Sequence, residues 1–257
     1  MFEPAPGLWE LAKLYLFFPK RGAKAARETS AWTPSLRLYA AFLIASLIFY
    51  WLKPWNFPDL NAPFPVEPQG LWFWTKVMIW QPPLEVVWIL FALGLAAWLR
   101  AGNFIVKLSA GVLWTALPFI LVVLYAHDPG FPRWAFLALT LAWLAPFVPL
   151  LRRIAIADWR PVFAFMLGTN VIGLALVLPM AAAAYWRLTD LFYATQIAGG
   201  FWILAVSCVG LKELMSLRLP RAFMAVLLSL FLQVGFAFAL HMAGLVPMQM
   251  LKALLYS

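Results

Sequence analysis

Seven long apolar runs dominate this sequence, at 36–52, 84–99, 108–126, 134–151, 161–186, 195–211 and 221–246. Crossing the hydrocarbon core of a bilayer takes about 20 such residues, with a usable range of roughly 17 to 25. The chain is 65% hydrophobic and 11% charged, against about 25% charged in ordinary soluble domains, so its solvent is mostly lipid. Backbone groups in lipid must pair internally, which leaves helices or a closed barrel. The runs are continuous and do not alternate, so the expected fold is an all-α polytopic bundle of seven spans.

Charge gives the bundle a direction. With the N-terminus inside, 14 of the 19 Lys and Arg fall in the cytoplasm and 5 outside. The positive-inside rule therefore predicts N-in, C-out. In "FWILAVSCVGLKELMSLRLPRAFMAVLLSLFL" four charged residues, Lys212, Glu213, Arg218 and Arg221, separate two apolar runs. They read as a cytoplasmic hairpin between spans six and seven. Lys212 complements the carbonyl end of one helix, Pro220 suits the first turn of the next, and Glu213 pairs with a neighbouring cation.

Residues 1–35 read as a cytoplasmic segment and 36–257 as one transmembrane domain. Leu8, Leu11, Leu14, Tyr15 and Phe18 recur at helical spacing, so 8–18 is expected to be an amphipathic helix on the membrane surface, ended by Pro19. The basic tract Lys20, Arg21, Lys24 and Arg27 would then face anionic headgroups. Apolar residues precede the basic ones, the reverse of a cleavable signal. The first external loop, 53–83, holds seven prolines, which deny it regular structure. It is expected to be an extended strap, with an interfacial helix over 71–80.

The net charge of +9 is accounted for by these flanking cations, so no nucleic-acid partner is implied. Cys208 lies within an apolar run, where a lone cysteine behaves as a small hydrophobe. Asn170 and Gln233 lie inside spans five and seven and are expected to join helices. Gly168, Gly173, Gly199, Gly200 and Gly235 fit close helix packing, and Pro118, Pro146, Pro149 and Pro179 fit kinks. Glu85, His127, Asp128 and His241 all fall towards the external ends of their spans. Two imidazoles and two carboxylates suit a divalent metal such as zinc, although they come from three spans without a local ligand spacing. Walker, nucleophile-elbow, zincin and dinucleotide signatures are absent, so neither an enzyme nor a cofactor is expected.

Three stretches resemble Yip1-domain membrane proteins. In the hairpin region, Trp202, Gly210, Leu211, Lys212, Glu213 and Ala222 match a Trp-led helix, a Gly-Leu-Lys-Glu turn and a small residue opening the next helix. Gly102, Phe104 and Pro118 match a Gly-x-Phe turn before a proline-containing helix. "LAKLYLFFPKRGAKAARETS" is similar to the family's proline-then-basic stretch before the membrane. The family core usually has five spans, so this chain carries two more. The resemblance implies a non-catalytic protein of the bacterial inner membrane, acting as a scaffold or accessory subunit through lipid and protein partners. Lys20, Arg21, Lys24, Arg27, Lys212, Glu213, Arg218 and Arg221 would form the docking surface. The 15 Trp and 22 Phe suit such contacts. The competing expectation is a transporter or channel for a small or lipidic substrate, with Asn170 and Gln233 along its path.

The orientation is testable. In a Cys208→Ala background, Arg152→Cys is expected to react with an impermeant maleimide in inverted vesicles and not in intact cells. Labelling from outside overturns the topology.

Overall fold

The computed structural model describes residues 7–54, 57, 70–128, 130–152, 154 and 156–256. Residues 55, 56 and 58–69 of the external strap expected over 53–83 lie outside the described residues. The rest is helical: α1 (Leu8–Phe17), α2 (Pro19–Ala26), α3 (Trp32–Leu52), α4 (Leu71–Leu99), α5 (Phe104–His127) and α6 (Arg133–Leu144). Then follow α7 (Phe147–Arg152), α8 (Ile156–Gly168), α9 (Val171–Tyr185), α10 (Thr189–Met215), α11 (Leu219–Met242) and α12 (Met248–Tyr256). Seven helical stretches are long and apolar enough to cross a membrane: Thr29–Leu52, Leu71–Leu99, Phe104–His127, Arg133–Arg152, Trp159–Tyr185, Thr189–Met215 and Leu219–Met242. The protein is a multi-pass, all-α membrane protein, and each span coincides with an apolar run.

Local chemistry sets the helix ends. The Asn103 side chain accepts from the amides of Ile105 and Val106 at the start of α5, the usual service of an N-cap asparagine. Helix α10 stops at Ser216, which is left-handed at φ 53, and Pro220 sits in the first turn of α11. Lys212 and Glu213 pair at 3.5 Å, as expected of the hairpin.

Four expectations need correction. The 71–80 segment is continuous with span two, and α4 runs 29 residues through Pro82 and Pro83. Paired prolines cost two ladder bonds but still permit a helix that neighbours enclose, and α4 is the most buried span. Span five is two helices, α8 and α9, separated at Thr169 and Asn170. Pro19 ends α1 but also opens α2, because a proline lacks only an amide that the first turn does not use. The N-terminal helices also pack into the bundle. Leu11, Ala12 and Tyr15 are buried, Tyr15 hydrogen-bonds Ser35 at 2.9 Å, and the Trp202 indole donates to the Leu16 carbonyl. The α1 stripe that was expected to meet lipid is partly a docking face.

Helix α4 packs against α3, α7, α8, α11 and α12, and α10 joins α8, α9 and α11. Span three and the first half of span four lie at the edge, with α5 against α4, α6 and α11. Four of the five glycines expected at helix contacts are there: Gly168 faces Tyr15, Gly173 Phe42, Gly199 Leu176, and Gly235 Pro118. Gly200 faces open space, so its packing role is not borne out. Gly210 has the tightest position, because a Cβ there would overlap the Phe165 ring.

Gly210→Ala sets two effects against each other. Alanine favours the helix by about 1 kcal/mol, while overpacking a core costs typically ~1–3 kcal/mol. Since the obstructing group is a fully buried ring, a lower melting temperature in detergent is expected, partly recovered by adding Phe165→Leu. An unchanged or higher value refutes this packing.

Candidate functional site at the broken fifth span

Glu85 is the middle residue of α4, about 21 Å from either end at 1.5 Å per residue. It is 8% exposed. Its Oε1 accepts a 3.0 Å hydrogen bond from Asn170 Nδ2. Among the described residues no other hydrogen bond or ion pair reaches its carboxyl.

Asn170 stands where span five is interrupted. The Thr169 amide still bonds four residues back, to Phe165. The next bonds are shorter-range, from the amide of Asn170 to Leu167 and from that of Ile172 to Thr169. This tightening leaves carbonyls short of amide donors. Side chains supply them: Asn170 Nδ2 donates also to Met166 and Leu167 at 3.4 and 3.2 Å, and Thr169 Oγ1 donates to Met166 at 2.7 Å. One amide group therefore repairs the break in its own span and holds the carboxyl of another.

More polar groups share this depth. Gln233 Nε2 donates to the Leu84 carbonyl at 3.2 Å, so α4 is tied to α9 at Glu85 and to α11 at Leu84. Phe42 faces Gly173, and Tyr39 lies three residues before Phe42 as Asn170 does before Gly173. Tyr39 is thus level with Asn170 and within electrostatic reach of Glu85. Trp88 follows Glu85 by three residues, on the same face of α4. The Tyr39 hydroxyl, the Trp88 indole nitrogen and the Ser207 hydroxyl are buried and have no hydrogen-bond partner. The apolar interior forms two buried cores, with Leu43 and Phe236 packed against both. One core holds Trp88, Phe165, Ile172 and Leu232, and the other holds Leu84, Phe49, Ala183 and Ala237.

The expected metal cluster does not form, and no grouping of three potential metal ligands exists among the described residues. Glu85 is deep in the bundle because α4 begins thirteen residues earlier than span two was expected to. His127 ends α5 and is exposed. Asp128 is exposed too, and its Oδ1 accepts from the Gly130 amide. His241 Nδ1 bonds the Val246 carbonyl within its own turn. Asp128 and His241 are engaged locally and Glu85 is bound to Asn170 in mid-bundle, so no common centre draws the four together.

The basic residues have divided duties. Lys20, Arg21, Lys24 and Arg218 are exposed. Arg27 donates to the carbonyls of Glu213 and Leu214, which brings the N-terminal tract against the hairpin. Arg221 donates to those of Leu99, Arg100 and Gly102. These two arginines therefore cap the ends of α10 and α4, a role that was not foreseen. Asn170 and Gln233 join helices as expected. Glu85 was missed as a midplane residue because the proline pair following Trp80 reads as a helix start.

Comparison with protein-family models, with curated proteins and with solved structures finds no match. The Yip1 resemblance therefore rests on the quoted residues alone, with no match to support it.

Asn170→Leu removes the donor to three acceptors and is expected to destabilise the protein by about 2 kcal/mol or more. Adding Glu85→Leu removes the stranded carboxyl as well and is expected to recover part of the loss. A double-mutant cycle of thermal melts in detergent measures the coupling, and additive effects would show that the pair does not interact.

Proposed function

We propose that this chain is a transport protein of a bacterial inner membrane, with its N-terminus in the cytoplasm, which moves a small or lipidic substrate past the Glu85–Asn170 junction. One observation carries the reading: a buried carboxyl meets a broken helix at the middle of the bundle. Ionisable groups at such depth are costly and mark pathways. Discontinuous spans place polar backbone beside substrates and coupling ions. Charge bias supports the orientation, and the short connections between spans suit a bacterial protein.

The Yip1 resemblance supports the rival proposal, a scaffold acting through lipid or protein partners. Exposed Lys20, Arg21, Lys24 and Arg218 fit that reading. The proposals part at Thr169, which is 1% exposed. Alternating access must wet this position in some state, whereas a scaffold has no need to. In a Cys208→Ala background, Thr169→Cys is expected to react with an impermeant thiol reagent in membranes, more slowly than Ser216→Cys. If Ser216→Cys reacts and Thr169→Cys is inert from both faces, the transport reading is wrong and the scaffold is favoured.

A further inference from the structure

The transport reading leaves the chemistry of the substrate open, and the midplane layer constrains it. Glu85 is an acceptor with one hydrogen bond and no cation beside it. The groups facing it are neutral. Asn170 comes from the α8–α9 junction, Tyr39 from α3, Trp88 from α4 itself, and Gln233 from α11. Helices α5, α7, α10 and α12 also pack on α4, and among the described residues no cation pairs with Glu85. A carboxylate at this depth is costly unless a positive partner neutralises it. Among the described residues there is none. A divalent metal does not suit the layer, which holds one carboxyl and no group of three metal ligands.

The remaining partners are monovalent, and the surroundings favour an organic one. Tyr39 stacks on Phe42 at 6.3 Å, and with Trp88 these rings give the layer three aromatic faces, on which ammonium groups bind well. The unpaired hydroxyl of Tyr39, 6% exposed, adds an acceptor for the ligand's N–H donors. We propose that the substrate is a small organic ammonium cation, which ion-pairs with Glu85 and packs against Tyr39, Phe42 and Trp88. This inference rests on the transport reading, because the closed layer must open at the α8–α9 junction to admit the ligand. A proton competes for the same carboxyl, so the bound cation and a proton exclude each other.

Benzylammonium is a suitable probe, with benzyl alcohol as its uncharged counterpart and phenylacetate as its anionic one. Calorimetry on the purified full-length protein in detergent is expected to show saturable binding of the ammonium alone. Glu85→Gln keeps an acceptor for Asn170 and is expected to weaken binding at least about tenfold, as loss of a buried charge partner does. Tyr39→Phe is expected to bind far better than Tyr39→Leu, which loses the ring. Melting curves confirm that each variant is folded; if Glu85→Gln does not fold, the Tyr39 pair carries the test. Equal binding of the alcohol, unchanged binding by Glu85→Gln, or no saturable ammonium binding up to roughly 10 mM overturns the assignment. If that happens while Thr169→Cys still reacts, the transport reading stands and only the ligand class falls. An inert Thr169→Cys removes both.

Discussion

A backbone carbonyl in lipid has no water to turn to, and much of this structure follows from that constraint. Pro118 has no amide to offer Trp114 four residues earlier, and the Trp143 indole donates to that carbonyl instead. The interruption after Leu144 deprives the Trp143 carbonyl in turn, and the Trp114 indole supplies it. The two tryptophans thus repair each other's helices across spans three and four. Arginines serve the ends: Arg27 on α10, Arg221 on α4, and Arg133 on the Ala243 carbonyl that ends α11. A cation there also complements the negative end of the helix dipole. Asn170 applies the same solution in mid-membrane.

These repairs explain which parts of the fold were legible. Apolar length and composition act through simple transfer energetics, so all seven spans could be read from the chain. Helix breaks depend on what a neighbour offers. Pro82 and Pro83 suggest a helix start because an isolated proline pair would make one. In the bundle α4 continues through them, with other helices packed along it. The reverse holds at Thr169 and Asn170, where no proline or paired glycine announces a break. The interruption is supported by side chains whose reach is decided in three dimensions. Glu85 was visible as a residue, but its depth hinged on where α4 begins.

The same limit applies to the basic residues. A cation beside an apolar run satisfies the positive-inside rule whatever it touches, so the pattern cannot separate Arg218, which is exposed, from Arg221, which binds three carbonyls. Glycines are similarly ambiguous: Gly199 admits Leu176 while its neighbour Gly200 faces outward. Spacing restricts the candidates for contact, and only the partner helix selects among them.

The docking of the N-terminal helices bears on how the chain is assembled. Tyr15 rests against Phe165 and Gly168, Leu16 is held by Trp202, and Arg27 is held by the end of α10. All of those partners are synthesised more than a hundred residues later. The first helices to emerge are therefore completed only when span six has entered the bilayer, and until then their apolar face needs another cover. Such long sequence separation slows assembly and prolongs the exposure of intermediates. A defect in span six would accordingly be felt at the opposite end of the chain, as an N-terminal segment left without its seat.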